Sequence, residues 1–249
     1  MPKYFKRFMN FQSLDFETAV WEMFNLLVQP KRVYKLLYYQ RQTKNKWSRD
    51  DPSFAIILSL LLTISAICWG LTYSTNIITI FKLILYMVIV DFLLVGLVVA
   101  TIGWILANNI LSQSNTNSQS GSYDSNKWWV NNKYIRFIFP SDSILEWAYC
   151  FDVHCNSYLI IWCGLYLIQF FLLPLLRLNN WISCLIGNTL YLASLSYYFV
   201  ITFYGYNMLP FLTRTEFLLV PIPIFAIFWL ILTLSGFNVA NYMSDSYFG

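Results

Sequence analysis

Five stretches of this chain stay apolar for about 20 residues each, the length needed to cross a hydrocarbon core, and polar segments separate them. They cover residues 54–73, 77–106, 158–176, 181–204 and 217–237. The second is too long for a straight span and is expected to tilt or project. Pro174 near the end of the third, and Pro221 and Pro223 near the start of the fifth, sit where a helix tolerates proline. The first span follows KNKWSRDDPSF (44–54), in which Asp51 or Asp50 can cap the helix and Pro52 can occupy its first position. Ahead of it, LDFETAVWEMFNLLVQP (14–30) places Val20, Phe24, Leu27 and Val28 at helical spacing, with Asp15 as cap and Pro30 as terminator. KRVYKLLYYQRQTK follows as a second, basic and aromatic helix. The pair can lie on a membrane surface or a partner, or pack on the protein's own cytosolic face. Residues 112–126, SQSNTNSQSGSYDSN, are too polar to bury a core and are expected to be disordered. ILEWAYCFDVHCNSY (144–158) reads as amphipathic and runs into the third span.

Composition strengthens the membrane reading. Charged residues are 11% of the chain and hydrophobic ones 58%, against about 25% charged in soluble domains; the mean hydropathy is +0.53. Charge then sets the orientation. Ten of the sixteen Lys and Arg residues precede Asp50, and Lys127, Lys133, Arg136 and Arg214 fall on the same side of a five-span arrangement. That asymmetry predicts a cytosolic N-terminus. It also argues against a nucleic-acid surface, because the excess is gathered at one membrane flank. The expected fold is all-α and polytopic. Residues 1–53 form a basic cytosolic region, 54–240 a five-span domain with a cytosolic loop at 107–157, and 241–249 a lumenal tail. No cleaved signal peptide is visible, so the first span is expected to direct insertion.

Candidate chemistry is sparse. The five cysteines have no disulfide or zinc spacing. Glu146, Cys150 and His154 share a helical face, with Asp152 and Cys155 near, but the short paired spacing of a structural zinc site is missing. No nucleophile elbow, Walker sequence or dinucleotide fingerprint occurs, so neither an enzyme nor a cofactor is expected. Asp91 stands alone inside LYMVIVDFLLVGLVV. An acid there costs about 2.5–3.5 kcal/mol on insertion scales unless paired or facing a cavity. Lys82, nine residues earlier, falls on the opposite face of a regular helix. Partners are therefore sought on the fourth span, among Asn188, Thr189, Ser194, Tyr197 and Thr202. Asp91 reads either as interhelical glue or as the proton-handling group of a small transporter.

RQTKNKWSRDDPSF (41–54), KLILYMVIVDFLLVGLVVATIGW (82–104), EWAYCFDVHCNSY (146–158) and IGNTLYLASLSYYFVITFYGYNMLPFL (186–212) together resemble the Unc-fifty (uncoordinated-fifty) family. The resemblance covers about residues 38–238. It implies a five-span protein of the Golgi and early secretory pathway, with a cytosolic N-terminus and a part in membrane traffic. In that family the budding-yeast member associates with large Arf guanine-nucleotide exchange factors, and animal members are implicated in transport of nicotinic acetylcholine receptors. The equivalents of Asp91, Glu146, Asp152 and His154 belong to the family pattern. The insert at 112–126 and the non-basic tail NYMSDSYFG depart from it. The expected partners are an Arf exchange factor or coat machinery, and client membrane proteins. Both dense motifs sit at cytosolic helix entrances, so the expected partner-binding residues are Arg41, Lys44, Lys46, Trp47, Arg49, Asp50, Asp51, Glu146, Trp147, Asp152 and His154. Asp91 and Asn188 are the polar residues of the membrane interior.

Overall fold

The computed structural model describes residues 14–44, 47–49, 51–74, 76–111 and 145–248, with the side chains of residues 40–44 excepted. Lys46, Asp50 and the insert at 112–126 therefore lie outside the described residues, as do the side chains of Arg41 and Lys44. Two helices, α1 (Phe16–Val28) and α2 (Pro30–Lys44), precede the bundle. Five helices are long and apolar enough to cross a membrane: α3 (Ser53–Tyr73), α4 (Ile77–Leu111), α5 (Trp147–Leu176), α6 (Trp181–Asn207) and α7 (Thr215–Leu234). A last helix, α8 (Val239–Phe248), follows. The chain is thus an all-α, multi-pass membrane protein.

Local signals account for most boundaries. Asp15 caps α1 by accepting from the Thr18 hydroxyl and from its N–H at 3.0 Å, and both bonds hold its carboxyl below the usual carboxylate range. Pro30 opens α2 at the position that lacks a needed N–H. At the first span, Pro52 takes the cap position and the helix begins at Ser53. Asp51 still serves the N-terminus, accepting from Ser53 N–H at 3.0 Å and from its hydroxyl at 2.6 Å. Its other oxygen accepts from Asp15 N–H at 2.8 Å, which joins the starts of α1 and α3. At 21 residues α3 is about 30 Å long and matches the hydrocarbon core. The longer α4 contains two π-helical segments, Tyr86–Leu94 and Ala107–Leu111, and α5 has one at Trp162–Ile168. Such segments change which residues share a helix face.

The centre of the bundle is α5. It begins at Trp147, well before residue 158, where hydropathy alone places the span. Its first half packs between α4 and α6 and also meets α1 and α3. Tyr149, Cys150 and every residue from Asp152 to Ile160 are buried. The amphipathic reading of this segment is therefore corrected: its polar residues face other helices instead of water. The core continues into the N-terminal helices, where Leu26, Val33 and Leu37 join Leu58, Leu62, Phe92 and Leu159 in one apolar cluster. In α1 the packed face is Ala19, Glu22, Met23 and Leu26. The face drawn from spacing points outward: Val20, Phe24 and Val28 are 55%, 65% and 60% exposed.

Close approach of α4 to α5 depends on Gly96. A Cβ built there would lie 2.8 Å from His154 Cδ2 and 3.1 Å from Phe151 Cε2. The imidazole is held from behind by the Tyr198 hydroxyl, 2.9 Å from Nδ1, so it cannot swing aside freely. Gly96→Ala is expected to destabilise the purified protein by about 1–3 kcal/mol through overpacking. A clear fall in its melting temperature in detergent checks this, and an unchanged value would show that the ring can move.

Candidate functional site at the helix entrances and around Asp91

The two dense sequence motifs meet in space. Arg49 Nη2 donates to Glu22 Oε2 at 2.7 Å and to Asn156 Oδ1 at 2.8 Å, while Arg49 N–H donates to Asp152 Oδ2 at 2.6 Å. The guanidinium also lies 4.4 Å from the Phe54 ring centroid, within cation–π range. Burial works against its charge, but the carboxylates of Glu22 and Asp152 outweigh that and hold its pKa above the usual value. Next to it, Ser48 donates its hydroxyl to Glu146. Arg49, just before the chain enters α3, thus clamps α1 to α5, and the adjacent Ser48 ties the same segment to Glu146 at the start of α5. Glu22 is a lone acid on the packed face of α1, and nothing in the spacing of the apolar residues marked that face as the packed one.

Several residues expected to meet a partner are therefore engaged inside the protein. Asp152 and His154 are 7% and 2% exposed. His154 bonds Tyr198 and stacks near Phe92, with ring centroids 6.1 Å apart. Trp47 is half-buried between Tyr38 and Phe211, at 6.1 and 5.9 Å. Trp147 is exposed and donates Nε1–H to Thr101 Oγ1 at 3.2 Å. Each of Arg49, Asp51, Glu146, Asp152 and His154 is thus bonded within the protein, in separate sets: Arg49 with Asp152 and Glu22, Glu146 with Ser48, Asp51 with Ser53 and Asp15, and His154 with Tyr198. Cys150 lies one turn from both Glu146 and His154, yet its Sγ contacts the Glu146 carbonyl at 3.8 Å while His154 turns to Tyr198.

A second polar centre lies within the bundle. Asp91 Oδ2 accepts from the Tyr166 hydroxyl of α5 at 3.0 Å and from the Tyr247 hydroxyl of α8. The expected partners on the fourth span are corrected: the π-helical segment Tyr86–Leu94 contains Asp91 and turns it toward α5 and α8. Lys82 is exposed and lines a cleft of about 340 Å³ with Tyr86, Ser246 and Tyr247, so it too borders α8.

Asn188, on α6, does not reach Asp91. Its Nδ2 donates to Thr233 Oγ1 at 3.2 Å and to the Phe237 carbonyl at 3.0 Å, and its Oδ1 accepts from Val239 N–H at 2.9 Å. It therefore fixes the turn from α7 into α8. Gln169, buried in α5, donates to Ser244 Oγ at 2.9 Å and to the Ala240 carbonyl at 3.3 Å. Phe248 stacks on Trp69 with centroids 4.2 Å apart and planes 7° apart. Within the segment expected to be a lumenal tail, residues through Phe248 belong to this docked helix. Tyr166 and Gln169 were visible as polar interruptions of an apolar run; nothing local marked Tyr247.

The UNC-50 family profile matches residues 4–248, nearly the whole chain. The chain belongs to the UNC-50 family. Protein GMH1 of Saccharomyces cerevisiae is 43% identical over 244 residues, covering 94% of this chain and 81% of its own length. The unc-50 homolog of Dictyostelium discoideum is 37% identical, covering 100% of this chain and 88% of its own length. The human unc-50 homolog is 36% identical, covering 98% and 86%. No solved structure is significantly similar to the chain. Because the UNC-50 profile extends from the N-terminal helices to α8, both polar centres lie inside the region that defines the family.

Proposed function

We propose that this UNC-50 protein is a non-enzymatic Golgi membrane protein, its N-terminus cytosolic, that supports vesicle-mediated transport. It acts by docking an Arf guanine-nucleotide exchange factor on its basic face, or by aiding the traffic of client membrane proteins. Docking has the more specific structural support. The Arg49 clamp ties α1 to α5, and Tyr34 of α2 accepts from Asn156 of the same cluster at 3.3 Å. N-terminal helices tied to the bundle in this way spare a partner part of the ordering cost of a loose arm. The docking surface we propose is centred on the basic residues Arg41, Lys44 and Lys46, at and just beyond the end of α2 in sequence.

Charge reversal of Arg41, Lys44 and Lys46 together tests the reading. Co-purification of the exchange factor is expected to fall at least about tenfold, equivalent to about 1.4 kcal/mol, with protein level and Golgi residence unchanged. Undiminished co-purification from a correctly localised triple variant would refute this docking surface.

A further inference from the structure

Between α2 and the end of α6 lies an open groove of about 470 Å³. Its walls include Lys31, Lys35, Tyr34, Tyr38, Tyr39 and Tyr204, and among the described residues no Asp or Glu lines it. Lys31 and Lys35 are exposed and one helical turn apart, so both ammonium groups can reach the same space. Lys31 lies 5.6 Å from the Tyr204 ring centroid, which orients it along the wall. Among the described residues neither lysine is paired with a carboxylate. Tyr34 is buried and bonded to Asn156, so the groove combines two uncompensated cations with the phenols of Tyr38, Tyr39 and Tyr204, which can donate to oxygen.

Its depth follows from the neighbouring helices. Tyr204 belongs to the last turn of a membrane span, where the bundle meets the headgroup layer. On the same side, α1 turns Phe16, Val20, Phe24 and Val28 outward as one apolar row. A row of this kind on a surface helix immerses at the boundary between headgroups and acyl chains. Both observations set the lysines at headgroup level, with apolar surface beneath.

We propose that this groove is a binding site for the headgroup of an anionic phospholipid in the leaflet on the basic side. The phosphate sits between Lys31 and Lys35, the phenols meet the remaining headgroup oxygens, and the acyl chains descend along α6. The volume admits a headgroup as large as a phosphorylated sugar ring. Phosphatidylcholine fits poorly, because its cationic end would face the lysines.

Native mass spectrometry of the full-length protein in detergent tests this with four probes. These are dioctanoyl phosphatidylinositol 4-phosphate, dioctanoyl phosphatidylserine, dioctanoyl phosphatidylcholine and chain-free inositol 1,4-bisphosphate. Both anionic lipids are expected to bind in preference to phosphatidylcholine. Lys31→Gln with Lys35→Gln is expected to weaken them about 30-fold, from two lysines at an anionic surface. Lys31→Arg with Lys35→Arg should retain binding, and Lys82→Gln on the opposite face should not alter it. Equal binding of phosphatidylcholine would overturn the proposal, as would full anionic-lipid binding by a folded double Gln variant. Chain-free inositol bisphosphate binding as tightly as the lipid would overturn the assignment to a membrane ligand. Displacement of bound lipid by an acidic peptide of far higher affinity would assign the groove to a protein partner instead. The docking reading is read out separately, since its triple variant leaves Lys31 and Lys35 in place.

Discussion

Replacing Arg49 with Met is expected to destabilise the protein by about 3–5 kcal/mol, the cost of leaving one side of a buried ion pair without its partner. Arg49 and Glu22 side chains are each only 11% exposed, so solvent screens the pair little. The substitution strands Glu22, removes a partner of Asn156, and withdraws the cation nearest Asp152, although the Arg49 N–H still reaches that carboxylate. Loss should be local first, because the apolar spans remain: α1 and α2 should detach while the bundle persists. Limited proteolysis near Gln29 and a lowered melting temperature read both events. Adding Glu22→Gln to Arg49→Met should restore part of the loss, because it removes the uncompensated charge. Arg49→Lys should fall between, since an ammonium keeps the charge but lacks the planar fork. Wild-type stability and protease resistance in Arg49→Met would show that packing alone holds the N-terminal helices.

Asp91→Ala is expected to cost about 2 kcal/mol and to loosen α8, whereas Asp91→Asn is expected to be nearly silent. Both phenols, Tyr166 and Tyr247, donate to the same oxygen of Asp91. An amide can present its single carbonyl oxygen at that point and accept both bonds. Alanine offers no acceptor, and hydrogen bonds within membrane bundles contribute about 0.6–1.7 kcal/mol each. Loosening would expose the 239–248 segment to protease, with Gln169 and Trp69 losing their contacts to it. Tyr247→Phe should reproduce part of the effect. The proton-handling alternative gives the opposite pattern: a well-folded Asp91→Asn protein would lose flux driven by a pH gradient in liposomes. That result would replace the glue assignment with transport.

These expectations rest on pairings that differ in how legible they were. The capping of α1 by Asp15 was readable, because a side chain and the N–H three residues on are neighbours in sequence. The outward row of α1 was readable as a row but not as an outward one. Spacing defines a face without saying whether core or lipid receives it. Burial of Asp152, His154 and Asn156 ran against composition, since a polar run at a helix entrance ordinarily marks solvent. It became possible because Tyr198 and Tyr34 supply partners from other helices and Arg49 supplies one from the segment entering α3.

The sequence alone determined the class, the five spans, the gathering of basic residues on one flank and the family. Each of these is a sum over local properties: a hydrocarbon core accepts about 20 apolar residues, lysine and arginine are counted loop by loop, and motifs are contiguous. The tertiary structure alone decided which polar groups meet. Glu22 meets Arg49, Lys31 and Lys35 share a groove with Tyr204, and Asp91 meets Tyr247 across 156 positions. Such pairings depend on the rotation of each helix about its axis. A π-helical segment alters that rotation without leaving a mark in hydropathy, which is why Asp91 faces α5 and α8 instead of the polar row of α6.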